Sequence, residues 1–295
     1  MVPNTHKITV GSDVELFVYD GFQHIPAYDL IPGTKARPFP VPDGMVQVDG
    51  MAVEFGIDPS STRQQFSSKL ASVRRTLTGM LHQHGNKITP VVLPTCLFDK
   101  KVFDAAPLAA KELGCEPDFN AYTDGEKNPR PEPGDAPVRT AGGHVHIGWT
   151  SDVDPFHPNH MQACCMLTKM LDIHLGLPSV FWDSDEKRRT LYGKAGAFRP
   201  KPYGMEYRTL SNAWLKAPAL VEFVFDQTMV AFNRLMDGSV DYLNIAESVQ
   251  NTINSNALSY KDKRLRAYQF LTSLKVQLPK PPQKKNISKK TERAA

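Results

Sequence analysis

Residues 140–149, TAGGHVHIGW, are the stretch that decides the fold. His144 and His146 alternate with Val145 and Ile147 in a run that is typical of a strand. Successive side chains of a strand point to opposite faces, so both imidazoles share one face and the apolar residues share the other. Two histidines on one face of a buried sheet need a polar partner, and a metal ion or a phosphate is a natural one. The stretch therefore predicts a sheet with one ligand-binding face.

Two further segments place carboxylates between apolar residues. Asp13 and Glu15 alternate with valine and leucine in GSDVELFVY, so both point to one face of a predicted strand. Residues 45–57, MVQVDGMAVEFGI, predict a strand pair that turns at Asp49–Gly50, with Glu54 among apolar neighbours. A buried carboxylate needs a partner, and hard oxygen ligands suit Mg²⁺ or Mn²⁺. A solvent-facing edge strand is the alternative for the first carboxylate pair.

A basic segment, RRTLYGKAGAFRPKPYGMEYRTLSNAW, occupies residues 188–214. Its only acidic residue is Glu206, and the strand predicted over residues 203–210 puts Glu206 and Arg208 on one face. Such a segment suits an anion, because the planar guanidinium group matches phosphate and carboxylate. A basic patch on a surface loop is the alternative. The basic residues are Arg188, Arg189, Lys194, Arg199, Lys201 and Arg208.

The composition is that of an ordinary globular protein, with 295 residues, 41% of them hydrophobic and 22% charged. No apolar run is long enough to span a bilayer, and the first residues lack the features of a signal peptide. The four cysteines show no paired spacing. We therefore expect a reduced, cytoplasmic protein with no membrane partner.

Neither a repeat nor a linker interrupts most of the chain, so we expect one domain over residues 1–278 and a disordered tail over residues 279–295. The tail holds six lysine and arginine residues against one glutamate, so the net charge of +4 resides there and the body is near neutral. Because lysines alone attract phosphate without specificity, we expect at most a weak nucleic-acid contact from the tail.

Hydrophobic periodicity predicts the remaining elements. Strands are expected at residues 6–10 and 13–19 with a break at Gly11–Ser12, and residues 20–44, rich in Pro and Gly, are expected to form a loop or lid. Residues 114–123 are polar, with Asp118 and Asn120 as candidate ligand contacts. A mobile loop is expected at residues 124–137. Helical patterns extend over residues 60–85, 159–175, 217–237, 240–255 and 259–274.

The polar positions of these separate strands together describe one sheet face that carries carboxylates, imidazoles and guanidinium groups. Oxygen-rich ligation with one or two histidines suits Mg²⁺ or Mn²⁺ bound to nucleotide phosphate. A structural zinc site fits poorly, because the sequence has no cysteine pair.

The segments GSDVE, DGMAVEF, GCEPDFNAYT, GGHVHIG and FRPKPYGMEYRTLS occur in an order that resembles the phage-type carboxylate–amine ligases, type 2. These belong to the glutamine synthetase and glutamate–cysteine ligase superfamily. The resemblance covers roughly residues 7–214, and GGHVHIG and KPYGMEYR are its most specific motifs. It implies an α+β, glutamine synthetase-like catalytic domain with a curved, mostly antiparallel sheet. The concave face would bind ATP and two or three Mg²⁺ or Mn²⁺ ions, and helices would pack on the convex side.

The resemblance also implies a role for each polar residue of the face. Asp13 stands where the wider superfamily usually has glutamate, and Asp49 is a further candidate ligand whose parity differs from that of Glu54. Arg199, Arg208 and Glu54 are implied in catalysis. The implied metal ligands are Asp13, Glu15, Glu54, His144 and Glu206. The implied contacts to the nucleotide are His146, Lys201, Arg199 and Arg208.

The implied reaction is ATP-dependent amide formation through an acyl phosphate. A metal-dependent hydrolase that uses His144, His146, Asp13 and Glu54 to activate water is a rival interpretation. A non-catalytic phage protein that binds nucleic acid through its tail is another. The basic segment favours the ligase. The acid, a small molecule or a peptide carboxylate, and the amine both stay open, as does a homo-oligomeric state; a phage-encoded protein would work in the host cytoplasm.

Overall fold

The computed structural model describes residues 8–111, 118–129, 136–238, 244–276 and 278. Within them the strands form an 11-stranded sheet and a separate two-stranded ladder, and all pairings between strands are antiparallel. The strands are β1 (Thr9–Tyr19), β2 (His24–Ile25), β3 (Phe39–Val41), β4 (Gly44–Asp49), β5 (Ala52–Ser60), β6 (Thr89–Val91), β7 (Thr95–Leu97), β8 (Phe119–Asn120), β9 (Glu126–Lys127), β10 (Val138–Thr140), β11 (Gly143–Gly148), β12 (Ala197–Lys201) and β13 (Gly204–Tyr207).

The large sheet has the strand order β3-β4-β5-β1-β11-β13-β12-β8-β9, and β2 and β6 pair with the end of β1. Strands β7 and β10 form the separate ladder. Because β1 lies between β5 and β11, three regions that are distant in sequence stand side by side at the centre of the sheet.

The helices pack against this sheet and against one another. The first, α1, contacts β5; α4 contacts β12 and β13; and α7 contacts both α1 and α4. The chain is therefore α+β with a large, mostly antiparallel sheet, as predicted. The helices are α1 (Arg63–His82), α2 (Lys100–Ala105), α3 (Leu108–Lys111), α4 (Pro158–Leu171), α5 (Leu177–Ser179), α6 (Glu186–Leu191), α7 (Pro218–Met236), α8 (Ala246–Asn254) and α9 (Tyr260–Ser273), with a π-helical turn over Asp172–Gly176 and 3₁₀ turns over Ala121–Thr123 and Asn212–Lys216.

Alternation along the central strands separates the two faces of the sheet. Val14 of β1 and Val145 and Ile147 of β11 are fully buried, in the same apolar core as the stripe of α1. Asp13 and Glu15 point to the other face, because successive strand residues alternate. One face thus packs against α1 and the other large helices. The opposite face carries the polar side chains and, through Phe17 and Ala52, a second and smaller apolar cluster with α2 and α3.

Some predicted boundaries are wrong. The expected break at Gly11–Ser12 is instead a register shift between Val10 and Ser12 in the pairing with β5, and β1 runs through it. A β-bulge of this kind bends a strand without ending it. The loop expected at residues 20–44 contains β2 and β3, and that expected at residues 124–137 contains β9.

The helix predicted over residues 60–85 is confirmed as α1, and the side chain of Thr62 caps it by accepting from the backbone N–H of Gln65. The helix predicted over residues 159–175 is α4 followed by the π-helical turn, which the periodicity did not predict. Strand β12 was not predicted either, because its flanking glycines and prolines are typical of a loop.

Residues 1–7, 112–117, 130–135, 239–243, 277 and 279–295 lie outside the described residues, and the start of the strand predicted at residues 6–10 is among them. The predicted tail and parts of the segments predicted at residues 114–123, 124–137 and 240–255 fall there. Across the described ranges, no helix combines the length and the apolar character needed to cross a bilayer.

Candidate functional site

Four neighbouring strands bring the predicted site residues onto one face. Asp13 of β1 lies opposite His144 of β11, and His146 lies opposite Glu206 of β13. Glu206 in turn lies opposite Arg199 of β12. Directly opposite residues of an antiparallel ladder share a face and lie close together. The sheet register therefore unites side chains that the sequence assigned only to a common kind of face.

Asp13, His146 and Glu206 form a group of candidate cation ligands, because each offers one ligand atom within 4.8 Å of the others. His146 Nε2 lies 3.1 Å from Asp13 Oδ2. The resemblance placed His146 against nucleotide phosphate, whereas the geometry groups it with the two carboxylates. Two carboxylates and an imidazole form a donor set that fits Mg²⁺ or Mn²⁺.

His144 occupies the position between the same two carboxylates. Its Nδ1 lies 2.9 Å from Asp13 Oδ1 and 3.4 Å from Glu206 Oε1. Its Nε2 lies against Gly142, where an added Cβ would stand only 2.2 Å away. The absence of a side chain at Gly142 therefore makes room for the imidazole ring.

Three basic side chains contact the two carboxylate oxygens of Glu206. Lys201 Nζ lies 3.1 Å and Arg199 Nη1 3.3 Å from Oε2, and Arg208 contacts Oε1. Asp118 forms an ion pair with Arg208 and lies 3.9 Å from Arg199. The predicted phosphate-facing cations thus converge on a single buried carboxylate.

A second carboxylate group extends along the same face. Glu15 and Glu54 are opposite one another in the β1–β5 ladder, and Gln47 hydrogen-bonds to Glu54. The parity argument against Asp49 is wrong, because the tight β4–β5 turn pairs it with Ala52 and returns it to the face of Glu54. Burial, and then the neighbouring carboxylates, raise the pKa of Glu54 well above its usual value. A bound cation would relieve this repulsion.

Neighbouring positive groups stabilise the ionised forms of Asp13 and Glu206. Burial alone raises the pKa of Asp13, but His146 and His144 outweigh burial and hold that pKa well below its usual value. Burial also raises the pKa of Glu206, and so does repulsion from Asp13. Arg208 and the two histidines outweigh both effects, so the pKa of Glu206 is lowered. For His146, burial lowers the pKa and Asp13 raises it, with a net increase. Both carboxylates are therefore ionised at neutral pH, as cation ligands must be.

Two cavities flank this cluster. An outer cleft of about 630 Å³ reaches Asp13 and His146 and has apolar walls that include Met45, Ile57 and Trp149. An inner pocket of about 60 Å³ lies on the other side and is lined by Glu15, Asp49, Arg139, His144, Arg188 and Arg208, among others. The charged cluster thus separates a roomy cleft from a small polar pocket.

Sequence reasoning missed three contributors to the site. Tyr203, in the turn between β12 and β13, hydrogen-bonds to His146 Nδ1 at 2.5 Å. Arg139 of β10 lines the inner pocket but stands in no motif that would mark it. Arg188 counted only as part of a basic segment, yet it is buried and donates to the Thr209 carbonyl oxygen at 2.9 Å. These contacts depend on how the loops run between the strands, and the hydrophobic periodicity of the sequence carries no information about that.

Fold and site together define an α+β protein with a polar sheet face suited to divalent cations and anionic ligands. A family model described as phage phiEco32-like COOH·NH2 ligase-type 2 matches residues 133–293, and the chain belongs to this family. It is therefore a carboxylate–amine ligase by family, the class of enzyme that forms amide bonds. The matched part includes GGHVHIG and KPYGMEYR but not Asp13, Glu15 or Glu54. No curated protein matches the chain.

Proposed function

We propose that this protein is an ATP-dependent carboxylate–amine ligase with a glutamine synthetase-like catalytic sheet, acting with two or three Mg²⁺ or Mn²⁺ ions. The observation that carries the proposal is the convergence of Asp13, His146 and Glu206, with ligand atoms within 4.8 Å, beside Lys201 and Arg199. Carboxylates next to phosphate-binding cations suit a nucleotide with its metal ions better than they suit either ligand alone.

The donor chemistry supports divalent cations at two places on the face. Asp13, His146 and Glu206 would hold one ion, and Glu15 with Glu54 would hold another at the carboxylate-rich end, where burial and repulsion raise the pKa of both groups. The sequence-based role of His144 as a ligand remains part of the proposal. When bound, such ions neutralise charge on a transferring phosphoryl group.

The basic residues supply the second part of the machinery. Arg199 and Lys201 contact Glu206, which lies opposite the cleft residue His146, and Arg208 contacts Glu206 and lines the inner pocket. We assign the cleft of about 630 Å³ to the nucleotide, because its apolar walls suit a base and it reaches Asp13 and His146 of the proposed ion site. Guanidinium groups then bind and orient the phosphates.

We place the reaction at the charged cluster that lies between the two cavities. A carboxylate oxygen of the acid attacks the γ-phosphorus of ATP, the bond to the bridging oxygen breaks, and an acyl phosphate and ADP form. The amine nitrogen then attacks the acyl carbon, phosphate leaves, and the nitrogen loses a proton. Asp49 lines the inner pocket and can accept that proton. Arg139 and Arg188 of the same pocket can orient the anionic acid.

Isotope transfer tests the proposal directly. The protein is incubated with ATP, Mg²⁺, pooled ¹⁸O-labelled carboxylic acids, and hydroxylamine as a general amine. We expect ADP and hydroxamate to form together, with ¹⁸O passing from the acid into inorganic phosphate. ADP release that needs no acid, or metal-dependent amide cleavage without ATP, would instead support the rival hydrolase and refute the ligase.

A matched pair of variants ties the activity to the site. Lys201→Met removes a cation next to Glu206, whereas Lys261→Met removes an exposed lysine of α9. We expect the first variant to lower kcat/KM by about 100-fold and the second to leave it unchanged. Equal activities would refute the assigned location of the phosphates.

A further inference from the structure

Behind the ligand face, one buried carboxylate joins the two strands that carry the arginines. Asp172 is fully buried at the start of the π-helical turn. Its Oδ1 accepts from the hydroxyl of Tyr207 at 2.7 Å and from that of Thr209 at 3.2 Å, and its Oδ2 accepts from the backbone N–H of Gly196 at 2.6 Å. It therefore contacts the end of β13 and the residue that precedes β12.

The residues that make these three contacts lie close in sequence to Arg208 and Arg199. Tyr207 and Thr209 are the two neighbours of Arg208, and Gly196 stands three residues before Arg199 on the adjacent strand. Because strand side chains alternate, the contacts of Tyr207 lie on the face opposite Glu206 and Arg208. Movement of Asp172 would shift both backbones on which the guanidinium groups are carried.

Two other features hold this arrangement in place. A Cβ at Gly176 would stand 2.8 Å from the Tyr207 hydroxyl and 3.1 Å from Asp172 Oδ1, so the π-helical turn can approach β13 only with a glycine there. Arg188 donates to the carbonyl oxygens of Arg208 and Thr209 at 3.2 and 2.9 Å. π-Helical turns inside helices occur frequently at functional sites.

We propose that Asp172 is a positioning residue for catalysis, which sets Arg208 and Arg199 for the nucleotide phosphates by holding β12 and β13 from behind. This deepens the proposed function and rests on it. The three donors around the carboxylate are satisfied only when it carries no proton, since a protonated oxygen would lose one of them. An asparagine would turn an amide donor toward one of these donors.

The hydrogen bonds should respond to pH. Burial raises the pKa of Asp172 to about 7 even though its hydrogen bonds oppose this. The titratable groups that interact with it are the phenols of Tyr207 and Tyr122, and burial raises the pKa of both well above the neutral range. Near neutral pH, Asp172 is thus the group in this network that changes charge, and the positioning is complete only above about pH 7.

The test compares Asp172→Asn with the wild type and with Asp226→Asn, a matched change on the outer part of α7. The first readout is the NMR signals of the Arg199 and Arg208 Nε–H groups between pH 6 and 9, which require neither nucleotide nor turnover. We expect a transition near pH 7 in the wild type and in Asp226→Asn. In Asp172→Asn, we expect displaced signals and loss of the step that Asp172 contributes, whereas any step from His146, whose pKa is also raised, is common to all three proteins.

The second readout is steady-state ADP formation over the same pH range. Losing hydrogen bonds to a charged group should lower kcat/KM of Asp172→Asn about 10- to 100-fold at pH 8, with a smaller deficit at pH 6. If Asp172→Asn does not fold, Tyr207→Phe replaces it, because it removes one hydroxyl and keeps the buried ring. Because it removes only one of the hydrogen bonds, we expect Tyr207→Phe to lower kcat/KM at pH 8 in the same way but by a smaller factor.

The outcomes separate the two proposals. Displaced arginine signals without any ADP formation by the wild type would refute the ligase mechanism and keep Asp172 as the support of the arginines. Wild-type turnover with unchanged arginine signals and an unchanged pH profile in folded Asp172→Asn would overturn the positioning role. An equal loss of kcat/KM at pH 6 and pH 8, without displaced arginine signals, would also overturn it.

Discussion

Replacing Glu206 with glutamine removes the charge around which the site is assembled. The carboxylate is buried and accepts contacts from Arg199, Lys201 and Arg208, and it lies 3.4 Å from His144 Nδ1. The glutamine has the same shape but presents an amide donor to these cations. The substitution therefore leaves several positive groups close together with one carboxylate fewer to neutralise them.

The size of the effect on stability follows from burial. Breaking a buried ion pair costs about 3–5 kcal/mol, and we expect the lower end because Asp118 still pairs with Arg208. For a domain of this size, a loss of about 3 kcal/mol lowers Tm by roughly 6–12 °C. Such a loss leaves a folded protein, since typical stabilities are about 5–15 kcal/mol.

The pH dependence has a definite sign. Burial opposes ionisation of Glu206, but Arg208 and the histidines lower its pKa below the usual value of 4.5. A carboxyl group with a lowered pKa in the folded state contributes stability above its unfolded pKa, and this contribution is lost as pH falls through the folded value. The stability gap between wild type and Glu206→Gln is therefore full at pH 7, begins to narrow as pH falls to about 4.5, and closes as pH falls further through the lowered pKa of the folded state.

Thermal unfolding with and without Mn²⁺ measures both the ion-pair loss and the loss of a ligand. We expect Mn²⁺ to raise the Tm of the wild type, since a ligand at 100 times its Kd adds about 2.7 kcal/mol, and to leave that of Glu206→Gln almost unchanged. Glu222→Gln is the control, because Glu222 is exposed and lies 3.7 Å from Arg63. A variant with wild-type Tm and a wild-type response to Mn²⁺ would refute the reasoning.

Three further predictions concern other parts of the molecule. Tyr203→Phe should weaken Mn²⁺ binding about tenfold by titration calorimetry, because it removes the hydrogen-bond partner that orients His146. Gly204→Ala should lower unfolding free energy by roughly 2–4 kcal/mol in urea, because its φ is +150° and an added Cβ would lie 2.0 Å from the Ile147 carbonyl oxygen. Deleting residues 279–295 should leave ADP formation intact and abolish binding to single-stranded DNA measured at low salt.

Each of these has a matched control and a result that contradicts it. Tyr268→Phe changes an exposed tyrosine of α9 and should leave Mn²⁺ affinity as it is; equal affinities for both tyrosine variants would remove the orienting role. Gly79→Ala, in α1 with open space around it, should not destabilise, and an equal loss in both glycine variants would contradict the steric argument. DNA binding that survives the deletion would place the nucleic-acid contact elsewhere.

The period of two along a strand is a local property, so the sequence alone could assign Asp13, Glu15, His144 and His146 to polar faces with apolar residues behind them. It could also predict α1, because helical periodicity involves neighbours in the chain. The family resemblance, carried by two short motifs, is confirmed by the family match over residues 133–293.

Tertiary structure alone decided which of these faces meet. Counting alternate residues along the chain put Asp49 and Glu54 on opposite faces. That count does not hold across a turn, and the β4–β5 pairing places Asp49 on the same face as Glu54. The pairing of β12 with β13, which delivers Arg199 to Glu206, follows from strand register, and register depends on burial of the whole sheet. The same holds for Asp172, because hydrogen bonds between residues 24–37 positions apart leave no periodic trace in the chain.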